Sequence, residues 1–480
     1  MNATRHDYLV IDQGGQSSRA LVFDGTGHQR LLLRQPVETR RPGPGRVEQD
    51  PVEMVDSIRR LLDQLPAELG EDAGKLKAAA LVTQRSSLVC WDRQSGEPLS
   101  PVLSWQDTRA ADWLDSLSLN ADDVMARTGL YPNAHYGASK IRWCLDTLPE
   151  VGRARSEGRL AIGPLASYLL FALTEEHHFG VDPGNAQRTL LFNLSSGQWD
   201  PFLLREFDIP ADILPPLQAS ASDFGHLAVG ERLLPLRLVN GDQNAAFYGA
   251  GSLREERVYA NIGTGAFIAA PWPEARPAPP GLLKTLVFQD RGQRRFVAEG
   301  TVNGAASALE QVAAELGLDD YGQYLEGWCR SETEIPVFLN GVGGLGAPYW
   351  RSDFVSCFEG QPHSPKAAMV GVLESVVFLL MVNLQRLRDE GGAFTEVLVG
   401  GGLAALAGLC QRLADLSGLP VFRGEDTETT ARGAAFLLAG QPENWSTPEP
   451  RWFLPSANAE LERRYKRWLL AMAAATADQL

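Results

Sequence analysis

Cysteine and histidine are scarce in this 480-residue chain, and neither is spaced as a ligand set. The five cysteines (Cys90, Cys144, Cys329, Cys357 and Cys410) are scattered, odd in number and free of any CxxC pair. That argues against a disulfide framework and a thiolate metal site, and for a reducing compartment. The seven histidines form no HExxH spacing, and the adjacent His177 and His178 read as loop surface. Positive charge is in deficit: 44 Lys and Arg against 59 Asp and Glu leave a net charge of −15. This argues against a nucleic-acid binder and a polybasic membrane anchor, but not against a small anionic ligand in a local N–H-lined pocket. No run of 18 apolar residues occurs, so no membrane span is expected. A signal-peptide pattern is also missing, since His6 and Asp7 lead directly into a strand-like stretch. The expectation is a cytoplasmic protein with no nucleic-acid or membrane partner.

What is present supports a folded core. Hydrophobic residues make up 44% of the chain, and its length suits two large domains or three ordinary ones. Residues 8–12, YLVID, read as a buried strand, followed by GGQSSR and a second strand, ALVFD. A DGTG hairpin signal and RLLLRQ then give a third strand, all three antiparallel. Asp50 caps the next helix, with Pro51 at its first position and Glu53 at capping-box spacing. KAAALVTQ at 77–84 reads as a further strand.

The chemistry is concentrated in glycine turns. Asp12 ends the first strand and Gly14-Gly15 follow, so backbone N–H groups can approach a phosphate closely. Gln16, Ser17 and Ser18 add donors, Arg19 adds a cation, and Asp12 is placed to hold Mg²⁺. The same residues also fit an ordinary hairpin turn with a surface arginine. A second strand–glycine–strand unit, VYANIGTGAFIAA, carries Gly263, Thr264 and Gly265. A third cluster, Gly400-Gly401-Gly402, follows EVLV and precedes an expected helix, whose N-terminus would seat an anion. Neither a P-loop nor a GxGxxG fingerprint is present. Asp242 stands between the strand-like LRLVNG and the small-residue helix QNAAFYGA, where it can accept a proton from a hydroxyl or simply cap the helix. Gly251 and the charged stretch after it place a domain boundary near residue 253, giving domains 1–253 and 254–480. The Pro-rich PWPEARPAPP at 271–280 reads as an exposed loop.

These motifs carry a family resemblance. DQGGQSSRALVFD at 12–24, TQRSSLVCWD at 83–92, SWQDTR at 104–109 and TGLYPNAHYGASKIRW at 128–143 resemble segments of the FGGY carbohydrate kinases. So do DPGNAQRTLLFNLSSGQWD at 182–200, NGDQNAAFYG at 240–249, NIGTGAF at 261–267, GLGAPYWRSD at 344–353 and the segment 400–435. The resemblance spans about 430 residues in the family's order. It implies an α/β fold of two ribonuclease H/actin-like domains, each a mixed sheet flanked by helices, with ATP and Mg²⁺ in a cleft between them. It implies an ATP-dependent kinase for a small polyol or sugar, and a homodimer.

Residue by residue, the resemblance makes Asp12 the magnesium-associated aspartate and Asp242 the general base, also near the metal. Gly14, Gly15, Gln16 and Arg19 fall in the first phosphate loop, and Gly263, Thr264 and Gly265 in the second. Gly401 and Gly402 match a pair near the nucleoside. Arg85, Ser86, Trp105, Tyr136, Asp242 and Gln243 match acceptor-site positions. Four departures stand out. Ser86 replaces a glutamate that binds acceptor hydroxyls in members acting on glycerol, which leaves room for a longer acceptor of three to five carbons. The opening loop reads Gly14-Gly15-Gln16 where the pattern favours GTT. Gly400 and Leu406 replace an aspartate and an asparagine near the nucleotide, and FEGQPHSPK at 358–366 differs from the usual run. The competing readings are a catalytically weak actin-like regulatory or interaction protein, an actin-like phosphohydrolase, and a kinase whose acceptor is glycerol itself, with a residue elsewhere replacing the missing carboxylate. Asp12, Arg19, Asp242 and the second glycine turn are retained, which favours an active kinase.

Overall fold

A computed structural model describes residues 6–424, 428–446 and 449–477. The chain forms two compact units, one of Met1–Ser252, Thr285–Phe296 and Glu428–Thr447, the other of Leu253–Lys284, Val297–Thr427 and Pro448–Leu480.

The first unit begins with the three expected antiparallel strands, β1 (Asp7–Gln13), β2 (Ser17–Asp24) and β3 (Gln29–Pro36). Helix α1 (Pro51–Leu69) follows, and the Asp50 carboxylate accepts the Val52 and Glu53 amides as a cap should. The expected capping box does not close, because Glu53 accepts the amide of Glu38 instead (3.2 Å). The apolar face of α1, Met54, Ile58, Leu61 and Leu65, is fully buried beside β2 and β3. Strand β4 (Leu76–Thr83) pairs with β1 in parallel. Further along the chain, after intervening elements, come helix α2 (Gly137–Thr147), the hairpin of β5 (His226–Val229) and β6 (Arg232–Gly241), and the short α3 (Asp242–Ala246). Strand β6 also pairs with β4 in parallel, giving the order β5-β6-β4-β1-β2-β3. The three central strands therefore point the same way and end at one edge, where ligands of open α/β sheets bind.

The second unit repeats this plan. Strands β7 (Arg257–Ile262) and β8 (Ala266–Trp272) are antiparallel across the second glycine turn. They are followed by the hairpin of β9 (Leu283–Asp290) and β10 (Gln293–Val302), then α4 (Ala306–Glu315) and α5 (Pro365–Asp389). Strand β11 (Glu396–Gly400) pairs in parallel with β7 and with β12 (Val421–Gly424) after α6 (Ala407–Ser417). Helix α7 (Thr429–Leu438), edge strand β13 (Pro450–Phe453) and α8 (Ala459–Ala477) complete the chain. In the order β9-β10-β8-β7-β11-β12-β13 the run β8-β7-β11-β12-β13 repeats the strand directions of β2-β1-β4-β6-β5, although the second sheet has one more strand. Both units thus carry a mixed sheet flanked by helices.

The units are not contiguous in sequence. The tip of the β9–β10 hairpin belongs to the first unit because Leu286 and Phe296 pack with Val181, Ala186, Phe192 and Leu194. Helix α7 belongs there because it packs on α3, β1 and β4. In the quoted 400–435 segment, residues 425–427 lie outside the described residues.

Among the described residues one helix, α5, is long and apolar enough to cross a membrane. Of its most apolar 18 residues 94% is buried inside the protein, so the helix is the centre of the second unit's core. Trp468 on α8 is fully buried in that core, stacks near Phe378 and Tyr465, and donates its indole N–H to the Phe338 carbonyl (2.9 Å). Trp468→Ala should destabilise the second unit by about 3–5 kcal/mol, since it opens a cavity and orphans that carbonyl. Urea unfolding followed by tryptophan fluorescence and circular dichroism measures it, and a loss below about 1 kcal/mol would contradict this packing.

Candidate active site

The aligned ends of β6, β4 and β1 position the site in the first unit. Asp12 and Asn240 stand level with Val82 on either side of β4, and Gly241 pairs with Thr83. The chain leaves β4 as Gln84-Arg85-Ser86 and leaves β6 as Asp242-Gln243-Asn244. Three parallel strands thus deliver Asp12, Arg85 and Asp242 to one edge.

Asp12 is almost fully buried, and its carboxyl is pushed up to about 6, chiefly by dehydration. Arg19 opposes that shift, whereas Asp242 and Glu428 reinforce it as like charges. Arg19 sits opposite Asp12 in the β1–β2 register and forms an ion pair with it. Its other arm meets Glu428, just before α7, at 2.5 Å. Arg19 is therefore held by two carboxylates rather than standing alone in the turn.

Asp242 is the first residue of α3, and Gly241 is its N-cap, so Asp242 does not fill the capping position. Its surface is partly open, yet surrounding protein dehydrates the carboxyl and raises its pKa. The Arg85 charge, the amides of Gln243 and Arg85, and Arg188 pull it back. The Gln243 amide donates to Asp242 Oδ1 at 2.7 Å. Arg85 donates to Asn244 (2.7 Å) and Gln243, and its stem lies over Gly241, where a Cβ would stand 2.5 Å from Arg85 Cγ.

The first glycine turn is tied down through carbonyls. Thr39 and Gln49 donate to the Gly15 carbonyl at 2.8 and 2.7 Å, and the Gly14 amide meets Ser17 O at 3.1 Å. A Cβ at Gly14 or Gly15 would meet only one atom each, at 3.5 and 3.4 Å. No protein group closes over the turn at these positions, which leaves space for a ligand to approach the backbone. Gln16 is exposed. Beside it, the Thr83 hydroxyl and Gln84 Oε1 are buried with no hydrogen-bond partner among the described residues.

The acceptor-site positions from the resemblance sit on three segments around α2. Ser86 is half-buried with φ of 63°, Trp105 is 42% exposed, and Tyr136 precedes the first residue of α2. The SWQDTR segment is anchored by buried Asp107 and Arg109, which pair with each other and with Glu48. Fully buried Lys140 on α2 donates to the carbonyls of Ser86, Ser104 and His135. Burial pushes its ammonium down to about 7, with Asp107 holding it up.

In the second unit, Gly263, Thr264 and Gly265 turn between β7 and β8. The Thr264 carbonyl accepts the Ala305 and Ser307 amides at 2.9 and 3.1 Å, and Gly263 O accepts that of Ala306 at 3.0 Å, so the turn is fastened to the start of α4. Gly401 has φ of 86°, and a Cβ there would stand 2.6 Å from Ile262 O, so β11 can reach the end of β7 only with glycine. The helix expected directly behind these glycines starts later: Gly402–Ala405 forms a 3-10 turn, and α6 begins at Ala407. Gly402 and Gly400 have open space around them.

Sequence reading did not single out Lys140, Asp182, Asn240, Asn244 or Glu428. Asn240 and Asn244 flank Asp242 and donate to the carbonyls of Val287 and Leu286 at the hairpin tip. The motifs containing them were visible, but nothing in those motifs marks these side chains as tertiary fasteners.

Comparison with known proteins places the chain. The N-terminal domain of the FGGY family of carbohydrate kinases matches residues 7–232, and the C-terminal domain of the same family matches 258–440. The chain belongs to the FGGY family of carbohydrate kinases. It is 32% identical to a glycerol kinase of Deinococcus radiodurans, over 98% of both chains. Its fold matches that of Plasmodium falciparum glycerol kinase with ADP (TM-score 0.88, 24% identity, 99% of both chains). It also matches xylulose kinase from Rhodospirillum rubrum (TM-score 0.84, 21% identity, 98% of both chains). The protein is an ATP-dependent kinase that phosphorylates a polyol or a sugar.

Asp182 provides a titration test within this region. It is fully buried, caps residues 183–187 through Asn185, and burial raises its carboxyl from 3.8 to about 6. Between those values the folded state holds a proton that the unfolded state has released, so stability falls as pH rises from about 4 to 6 and is flat above. Asp182→Asn should remove up to about 3 kcal/mol of that decline. Thermal unfolding of both proteins at pH 4, 5, 6 and 7 measures it, and parallel curves would refute the assignment.

Proposed function

We propose that the first unit transfers the ATP γ-phosphoryl group to a hydroxyl of a C3–C5 polyol or ketose, with Asp242 as general base. The observation that carries this reading is the convergence of Asp12, Arg85 and Asp242 at the ends of three adjacent parallel strands. Asp242 has the chemistry to accept the hydroxyl proton as the oxygen attacks phosphorus, and a carboxyl raised by dehydration is a stronger base than a free one. Arg85, held by Gln243 and Asn244, presents donors to acceptor oxygens, and Trp105 offers an apolar face to the carbon chain. The unfilled turn at Gly14, Gly15 and Gln16 suits a phosphate, and Arg19 suits its charge.

Mg²⁺ fits the same edge. Among the described residues no group of three or more His, Cys, Asp or Glu stands ready to hold a metal. Mg²⁺ bound with nucleotide needs only one or two carboxylates besides phosphates and water. Asp12 and Asp242 repel each other, and the Thr83 hydroxyl nearby is orphaned, so a cation with its waters would relieve both. Asp12 and Asp242 would hold it, and it would supply charge neutralisation at the phosphates. In the second unit we assign Gly263, Thr264 and Gly265 to phosphate, and Gly401 and Gly402 to the nucleoside. A cytoplasmic location accords with the free cysteines, and a homodimer accords with the family's habit of self-association.

Asp242→Asn should retain the fold and nucleotide binding and lower kcat by roughly 10²- to 10⁴-fold. Steady-state kinetics on the folded variant decides, and near-normal turnover would refute the base.

The acceptor length rests on Ser86, a shorter and uncharged side chain where members acting on glycerol carry a glutamate. An acceptor hydroxyl left without a buried partner loses about 1–3 kcal/mol of binding. A kcat/KM series over glycerol, erythritol, pentitols and pentuloses should peak at four or five carbons. A second reading, glycerol itself, is favoured by the 32% identical relative named a glycerol kinase; a peak at glycerol would establish it and overturn the enlarged pocket.

A further inference from the structure

Lys140 has no part in the chemistry above, yet it is a fully buried cation bonded to all three segments of the acceptor-site reading. Its side chain is fully buried in the first turn of α2. An ammonium has three N–H donors, and here they meet three backbone carbonyls: Ser86 O at 3.1 Å, Ser104 O at 2.7 Å and His135 O at 2.8 Å. These carbonyls belong to three segments distant in sequence. One carries Arg85 and Ser86, the next Trp105, and the last Tyr136.

Two further bonds join the same segments. The Ser87 hydroxyl accepts the Trp105 amide at 3.0 Å, and the His135 ring bonds the Trp105 carbonyl at 2.9 Å. A buried charge is costly unless its donors are satisfied. Placing one here, on carbonyls alone, is poor economy for stability, because an apolar side chain would fill the volume without dehydrating an ammonium. What an ammonium does that an apolar group cannot is fix three backbone oxygens around one point. One of those oxygens follows directly on the left-handed backbone of Ser86, a conformation that needs support from its surroundings in a non-glycine residue.

We propose that Lys140 is the positioning residue of the acceptor site, fixing the spacing of the segments that present Arg85, Ser86, Trp105 and Tyr136 to the acceptor. This rests on the acceptor-site reading of those segments. Lys140 touches neither acceptor nor nucleotide; it acts through the three carbonyls. Its loss should therefore weaken acceptor recognition selectively. The phosphate turn at 14–16 is tied by Thr39 and Gln49 instead, so nucleotide use should be spared.

The test is Lys140→Met, of similar length and without the charge. Acceptor KM should rise about tenfold or more while the KM for ATP changes less than about twofold, as expected when binding geometry is lost at one substrate only. Hydrogen exchange should quicken together in segments 85–87, 104–106 and 133–136, with segment 13–19 unchanged. Unchanged acceptor KM in the folded variant, or equal loss for both substrates with exchange raised throughout, would overturn the proposal. His135→Ala, at an exposed position, removes only the ring bond to Trp105. It should raise acceptor KM by a smaller factor, about two- to fivefold, and provides the decision if Lys140→Met does not fold; no change would then count against the clamp. If the wild-type protein phosphorylates no polyol or sugar, the acceptor reading fails, and the exchange pattern still decides whether Lys140 joins the three segments.

Discussion

Two dehydrated carboxylates near one another, Asp12 and Asp242, are the constraint around which the first unit is arranged. Each is costly to ionise where it stands, and the charge of Asp242 makes Asp12 costlier still. The surrounding residues answer that cost with fixed positive groups and amides. Arg19 pairs with Asp12 and is itself shared with Glu428. Arg85, Arg188 and the Gln243 amide face Asp242. The arrangement holds negative charge in place without fully neutralising it, which is the condition that suits a proton acceptor and a bound cation at one strand edge.

The repeated sheet explains why glycine turns recur. In each unit a hairpin precedes a parallel neighbour, so the turn of the hairpin and the exit of the neighbouring strand lie at the same edge. In the first unit those places hold Gly14–Gln16 and Gln84–Ser86. In the second they hold Gly263–Gly265 and Gly400–Gly402. The same backbone plan therefore serves different tasks: charged and polar side chains fill the edge of the first unit, and bare backbone fills that of the second. Exit positions with open space beside them, such as Gly400 and Gly402, carry no packing duty.

Around α2 the segments proposed to meet the acceptor are joined mainly through bonds to backbone groups. Ser86 is left-handed, Trp105 lies exposed on a loop, and Tyr136 precedes a helix. None of these positions is fixed by regular secondary structure. Their order comes from the buried Asp107–Arg109–Glu48 group under one loop and from Lys140 among all three.

The sequence alone determined the first meander, the cap at Asp50, the three glycine turns, the strand-end position of Asp242 and the kinase family, because each is written in local spacing or in motifs that keep their order along the chain. It misplaced the closure of the capping box, since Glu53 has a competing partner in Glu38 that no local pattern reveals. It expected a helix immediately after Gly402, where the backbone first makes a 3-10 turn. Tertiary structure alone decided that the 285–296 hairpin tip and α7 belong to the first unit. It also brought Glu428 to Arg19, Asn240 and Asn244 to the hairpin carbonyls, and Lys140 to three loops. The physical reason is the same throughout: periodicity and turn chemistry act over a few residues, whereas a buried polar group is satisfied by whichever partner the packed chain brings within about 3 Å, from any distance in sequence.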